Sequence, residues 1–207
     1  MSEINYTLIM VASFFAVASP GPATLAIAGT SMSQGRLKGA ILATGITTGS
    51  LIWSCSAALG VSAIMYTNEW LFELIRYLGA FYILYMAYKS TCSALNNKII
   101  VVKEEKRSTL VSAFYRGVAI HLTNPKAVFF FASLYAIAIP ENTKLQEILA
   151  LNGLILFQCF IVFQSYAYIF SIPKVRDFYI DMRRWFESFF AVAFGFAGLK
   201  ILMLKLD

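Results

Sequence analysis

The stretch Ala18-Ser19-Pro20-Gly21-Pro22-Ala23 sits in the middle of a long apolar run from Tyr6 to about Ser31. A run of about 20 apolar residues is what crosses a bilayer as a helix. Two prolines around a glycine are out of place in a continuous helix. Each removes a backbone donor and clashes with the preceding turn, at a cost of roughly 3 kcal/mol in a helix interior. Inside lipid, the freed carbonyls also need partners. Such a break survives only where protein or a water-lined cavity satisfies it. The break therefore predicts a discontinuous helix beside a cavity near the midplane, with the rest of the chain arranged around it.

The composition agrees with a bilayer environment. Of 207 residues, 59% are hydrophobic and only 14% charged, against about 25% charged in a soluble domain. This length leaves room for about six spans with short loops and none for a separate soluble domain. The net charge of +6 comes from basic loops, so it is no sign of nucleic-acid binding. Cys55, Cys92 and Cys159 lack the close spacing of a disulfide framework or a zinc site. No metal and no cofactor is expected. Ala16-Val17-Ala18 looks like a signal-peptidase site, but the first residues carry Glu3 and no Lys or Arg, so a cleaved leader is not expected.

Six spans are expected: about Tyr6–Ser31, Ala40–Tyr66, Trp70–Ser90, Leu110–Ile139, Leu145–Ile172 and Trp185–Leu204. Gly45 and Gly49 share one face of the second span and suit close helix packing. Asn96 to Ser108 forms the longest polar loop. A second loop with Lys174, Arg176, Arg183 and Arg184 precedes the last span. Of the 17 Lys and Arg, 12 fall in or beside loops 1, 3 and 5, four on the opposite side, and one, Lys126, inside span 4. By the positive-inside rule, loops 1, 3 and 5 face the cytoplasm and both termini face outward.

The proline break recurs. Pro20 and Pro125 are 105 residues apart, about half the chain. Gly79 to Lys89 and Gly195 to Lys205 repeat a glycine, nine residues and a lysine. Three spans per half make the halves point opposite ways across the membrane. The expected fold is thus an all-α integral membrane protein: a single domain over 1–207, with six transmembrane helices in two inverted three-helix repeats (about 1–95 and 109–207, joined by a loop at about 96–108) and with helices 1 and 4 broken. Matched discontinuous helices mark the binding site in many secondary transporters.

Lys126 is the sharpest chemical signal. A lysine at the bilayer centre costs roughly 2.5–3.5 kcal/mol on insertion scales. With no Asp or Glu expected inside a span to pair with it, its partners are backbone carbonyls, water, side-chain oxygens or a bound anion. A substrate carboxylate would serve, and so would the carbonyls freed by Pro125. Asn124 can cap the broken helix. His121 lies one turn before Pro125 and can carry a proton near neutral pH. Gln158 either lines the cavity or ties two helices together. Half-helices starting near Pro22 or Pro125 present N–H groups suited to a carboxylate. The halves ending before the breaks offer carbonyls to an ammonium group. A zwitterionic amino acid fits both, which places Pro20, Gly21, Pro22, Asn124, Pro125, Lys126 and Gln158 around a substrate and makes His121 the candidate for proton coupling.

Ala18-Ser19-Pro20-Gly21-Pro22, the basic turn after Gly35, and the spaced Gly45, Gly49 and Gly60 resemble the start of the LysE/RhtB family of amino-acid exporters. Gly117 to Phe131, with Asn124-Pro125-Lys126-Ala127, resembles that family's second signature, and Gly79-Ala80-Phe81-Tyr82 is similar to its third span. His121 stands where the family pattern has a polar amide, and Met86-Ala87 where it has Leu-Gly. The resemblance implies six spans, a homodimer, and proton-coupled export of amino acids or their derivatives across the bacterial cytoplasmic membrane. Two other classes stand beside this one. One is an exporter of a metal ion or inorganic anion, for which the expected lack of intramembrane carboxylates argues against a divalent cation. A thiol–disulfide carrier would use Cys55 and Cys159, which are 104 residues apart.

Overall fold

The computed structural model describes residues 4, 6–67, 69–95, 109–139 and 143–203. Within them the chain is all-helical: α1 (Tyr6–Ala18), α2 (Pro22–Gln34), α3 (Arg36–Thr67), α4 (Glu69–Leu95), α5 (Leu110–Leu122), α6 (Pro125–Ala138), α7 (Leu145–Ile169) and α8 (Pro173–Met203). The expected polar loop at 96–108, the Pro140–Asn142 part of the turn after span 4, Asn68 and Lys205 lie outside the described residues.

The break predicted from Pro20 and Pro22 is present. α1 and α2 meet at 51° and together are long and apolar enough to cross a membrane. α3 over Arg36–Gly60 and α7 over Leu145–Ile169 are each long and apolar enough alone. The second break, between α5 and α6, falls at Asn124. Proline opens the second half-helix in both cases, as Pro22 in α2 and Pro125 in α6. The proline that matches Pro125 in position is therefore Pro22 rather than Pro20. A proline at the first helical position loses nothing, because its missing N–H would have no intrahelical partner there. α1 and α5, the halves before the breaks, each have 13 residues.

Side chains and glycines set the joints. Gly35, between α2 and α3, has φ 91°, a left-handed conformation that side-chain-bearing residues rarely adopt. Its N–H bonds Ser31 O at 3.2 Å and closes α2. Thr109 caps α5 by accepting from Ser112 N at 3.1 Å. Glu147 caps α7 by accepting from Lys144 N at 3.0 Å. α3 and α5 cross at their glycines: a Cβ on Gly45 would stand 2.1 Å from Phe114 O, and one on Gly117 would stand 2.2 Å from Leu42 O. The glycine stripe on α3 is thus a helix-packing surface, as its spacing suggested.

α3 packs against both α5 and α7, α2 lies against α3, and α4 runs along α8. The main core holds Ile27, Leu42, Ile46, Phe131, Tyr135, Leu151 and Ile155, all nearly sealed from solvent. A smaller cluster, Ala16, Phe190 and Phe194, joins α8 to α1 beside Phe130 of α6.

The last helix departs from expectation. Lys174, Arg176, Arg183 and Arg184 belong to α8, which begins at Pro173, rather than to a loop before a span starting at Trp185. No glycine or proline interrupts the chain from Lys174 to Phe194, and Lys and Arg are good helix formers. Their charge marks a polar stretch but does not end a helix.

Candidate functional site

The α1–α2 break exposes carbonyls that would have received N–H groups in a continuous helix, and protein donors now occupy three of them. Pro20 leaves Ala16 O without its i+4 donor, and the Ser19 hydroxyl donates to it at 2.9 Å. Pro22 leaves Ala18 O, which accepts from the Tyr166 hydroxyl of α7 at 2.5 Å. Ser19 O accepts from Lys126 Nζ of α6 at 2.8 Å. The Gly21 N–H turns to Thr24 Oγ1 at 2.9 Å. The cation at the break is thus the protein's own lysine, held by Ser19 O. Its partner is the carbonyl end of α1, rather than the carbonyls freed by Pro125.

Lys126 bridges the two breaks. Asn124 Oδ1 accepts from Lys126 N at 3.1 Å and caps α6, so the lysine leaves the first turn of that half-helix. Its ammonium also donates to Ser19 Oγ at 2.5 Å. Ser19 can accept because its own hydrogen goes to Ala16 O. Two of the three ammonium N–H groups are used in this way, leaving one. Gly21 makes room for the crossing: a Cβ there would come 3.1 Å from Lys126 Cδ.

On the other side of the α5–α6 break, His121 is only 5% exposed. Its Nε2 lies 2.9 Å from Ser50 Oγ of α3, and its Nδ1 is buried with no hydrogen-bond partner. The imidazole stands edge-on to Phe131 at 6.5 Å and to Phe163 at 6.0 Å between ring centres. Gly49 gives it space, since a Cβ there would stand 2.7 Å from His121 Cβ.

These groups line one small cavity of about 30 Å³. Gly21, Thr24, Ser50, His121, Asn124 and Lys126 supply its polar wall, and Ala16, Val17, Phe130, Phe131, Cys159 and Phe163 most of its apolar wall. A mostly apolar pocket with a few convergent polar groups is the usual form of a small-molecule site. Of the residues singled out from sequence, Gly21, Asn124, Lys126 and His121 meet here. Pro20, Pro22 and Pro125 make the breaks without lining the cavity. Gln158 turns away from it: Nε2 donates to Met10 O at 2.9 Å and Oε1 accepts from the Ser13 hydroxyl, which ties α7 to α1.

Sequence reasoning missed Ser19 and Tyr166 as carbonyl partners and Ser50 as the histidine's partner. It also placed no carboxylate inside a span. Glu187 corrects that. It is 7% exposed within α8, and its Oε1 accepts from Ser93 Oγ of α4 at 3.0 Å. The signal was available, because Glu187 follows Trp185 inside the apolar segment.

The broken α1–α2 pair, α3 and α7 are long and apolar enough to cross a membrane, and the family comparison agrees. The model of the LysE type translocator family matches residues 14–205. The chain belongs to this family. Among curated relatives of this LysE translocator, the threonine efflux proteins of Salmonella typhimurium and of Escherichia coli (strain K12) are each 26% identical over 207 residues, covering 99% of this chain and 100% of theirs. The leucine efflux protein of Enterobacter sp. (strain 638) is 35% identical over 134 residues, 64% of this chain and 62% of its own. No solved structure matches the chain. The family is one of membrane translocators, and these relatives are named as efflux proteins.

Proposed function

We propose that this protein is a proton-coupled secondary exporter of amino acids, or of small metabolites derived from them, across the bacterial cytoplasmic membrane. The substrate binds between the broken helices α1–α2 and α5–α6. The α1–α2 and α5–α6 pairs each count as one span, which makes six spans in two inverted repeats, with both termini on the outer side. Rocking of one half against the other exposes the cavity alternately to each side.

One observation carries this reading: the ammonium of Lys126 reaches from the first turn of α6 to Ser19 O, within a cavity walled by Phe130, Phe131 and Phe163. An intramembrane charge is expensive and marks a substrate or ion path by default. A substrate carboxylate would take the remaining N–H of Lys126, and the phenyl rings would receive the side chain. The names of the relatives, threonine and leucine efflux proteins, fit a substrate of this kind.

The test is dipeptide-fed efflux. Cells with and without the protein are loaded with mixed peptides, and each free amino acid leaving the cell is timed. A protein-dependent rise of one or a few amino acids is expected. No rise for any amino acid overturns the amino-acid assignment.

A further inference from the structure

His121 Nδ1 is a buried nitrogen without a partner in the wall of the cavity. Ser50 Oγ lies 3.2 Å from Ile46 O and 2.9 Å from His121 Nε2. In the tautomer in which Ser50 keeps its hydrogen on Ile46 O, Ser50 accepts from Nε2, and Nε2 carries the ring hydrogen. In a neutral imidazole the other nitrogen is then a lone-pair acceptor. The opposite end of the polar wall is a donor, the Lys126 ammonium. Of the carbonyls at the end of α1, those of Ala16, Ala18 and Ser19 are already bonded to protein donors, while Val17 O has lost its i+4 donor because the Gly21 N–H turns to Thr24 Oγ1.

We propose that His121 Nδ1 accepts the α-ammonium group of the substrate, and that the counter-transported proton competes for the same lone pair. This rests on the exporter reading above. A zwitterion then lies with its carboxylate on Lys126 and its ammonium on His121. When a proton binds Nδ1, the nitrogen becomes a donor on a cationic ring and the ammonium is expelled. When the proton leaves on the other side, the acceptor is restored. Proton and substrate therefore occupy the carrier one at a time, which is the requirement for exchanging one against the other. Among the described residues that line the cavity, the other titratable groups are Lys126 from α6 and Cys159 from α7. α3 brings Gly49 and Ser50 against His121, and Phe131 and Phe163 pack on the imidazole in T-shaped contacts.

The experiment is L-leucine and L-threonine exchange in proteoliposomes at equal internal and external pH, with wild type and His121→Asn. Asparagine keeps an acceptor oxygen but cannot take a proton. In the wild type, the half-saturating concentration rises on the acid side, toward about tenfold per pH unit, because competition at one site is reciprocal. In His121→Asn, the exchange that remains shows no such rise, and accumulation driven by a pH gradient is lost. A second probe is N-acetyl-L-leucine, which keeps the carboxylate and side chain but has no ammonium; it should not compete in the wild type. The proposal is overturned if His121→Asn keeps the wild-type pH dependence, or if N-acetyl-L-leucine competes as well as leucine. Where the variant exchanges nothing at any pH, the wild-type pH dependence and the N-acetyl-L-leucine result decide: a half-saturating concentration that does not rise on the acid side overturns the proposal. If the wild type exchanges neither amino acid, the exporter reading for these substrates fails first and this proposal falls with it.

Discussion

Lys126 Nζ and Ser19 O lie 2.8 Å apart, joining residues 107 positions apart in the chain. The bond links the first turn of α6 to the last carbonyls of α1, so each break supplies what the other lacks. Replacing Lys126 with Ala removes both the ammonium and its bonds to Ser19. Efflux should fall to the level of cells without the protein, while membrane fractions still contain the variant at near wild-type abundance. Unchanged efflux would remove Lys126 from the substrate path.

Tyr166 holds the second freed carbonyl, Ala18 O, through its hydroxyl. Tyr166→Phe leaves that carbonyl unpaired in the bundle. Interhelical hydrogen bonds in membrane proteins average about 0.6 kcal/mol, with a maximum near 1.7. The thermal unfolding midpoint in detergent should drop by a few degrees, and α1 should exchange amide hydrogens faster around Ala18. An unchanged midpoint would show that water or another donor takes the carbonyl.

The α3–α5 crossing depends on Gly45 and Gly117, where an added Cβ would meet backbone rather than a flexible side-chain end. Gly117→Ala forces the helices apart and shifts His121 against Ser50. Overpacking of this kind costs about 1–3 kcal/mol. A lower yield of folded protein and a lower unfolding midpoint are expected, with Gly153→Ala as the control, because a Cβ at Gly153 meets nothing within 4 Å.

Cys55 and Cys159 are free thiols, and Cys159 is fully buried beside the cavity. Replacing both with serine should leave efflux within about twofold of wild type, since an exporter makes no use of thiol exchange. Loss of function in a well-folded double variant would favour the thiol-carrier class instead.

A polar group away from the cavity offers a separate test of packing. The Tyr135 hydroxyl and Ser54 Oγ are 2.7 Å apart, and Ser54 Oγ donates to Asn152 Oδ1 at 2.7 Å, linking α6, α3 and α7. Asn152→Leu leaves the Ser54 hydroxyl without that acceptor, at a cost of about 1–3 kcal/mol for a buried unsatisfied group. Restoring much of the lost stability by adding Ser54→Ala in the same chain would confirm that the pair acts as a unit; full additivity of the two changes would refute it.

The sequence by itself determined where the chain breaks and what environment it folds in. Pro20, Pro22 and Pro125 act on the neighbouring turn, so their effect is readable without knowing any distant contact. The apolar share and the motifs around both breaks point to the membrane and to the LysE family in the same way. Even so, the local rule did not say which proline matched Pro125, because both Pro20 and Pro22 disrupt a helix and only Pro22 begins one. Only the tertiary structure decided who satisfies whom. Lys126 takes a carbonyl from α1, Tyr166 takes another, Ser50 takes His121, Gln158 closes on Met10 and Ser13, and Glu187 is seated against Ser93. A freed carbonyl or a buried amide demands a partner, but it does not name one. The partner is fixed by which helices the packing of glycines and phenylalanines brings side by side.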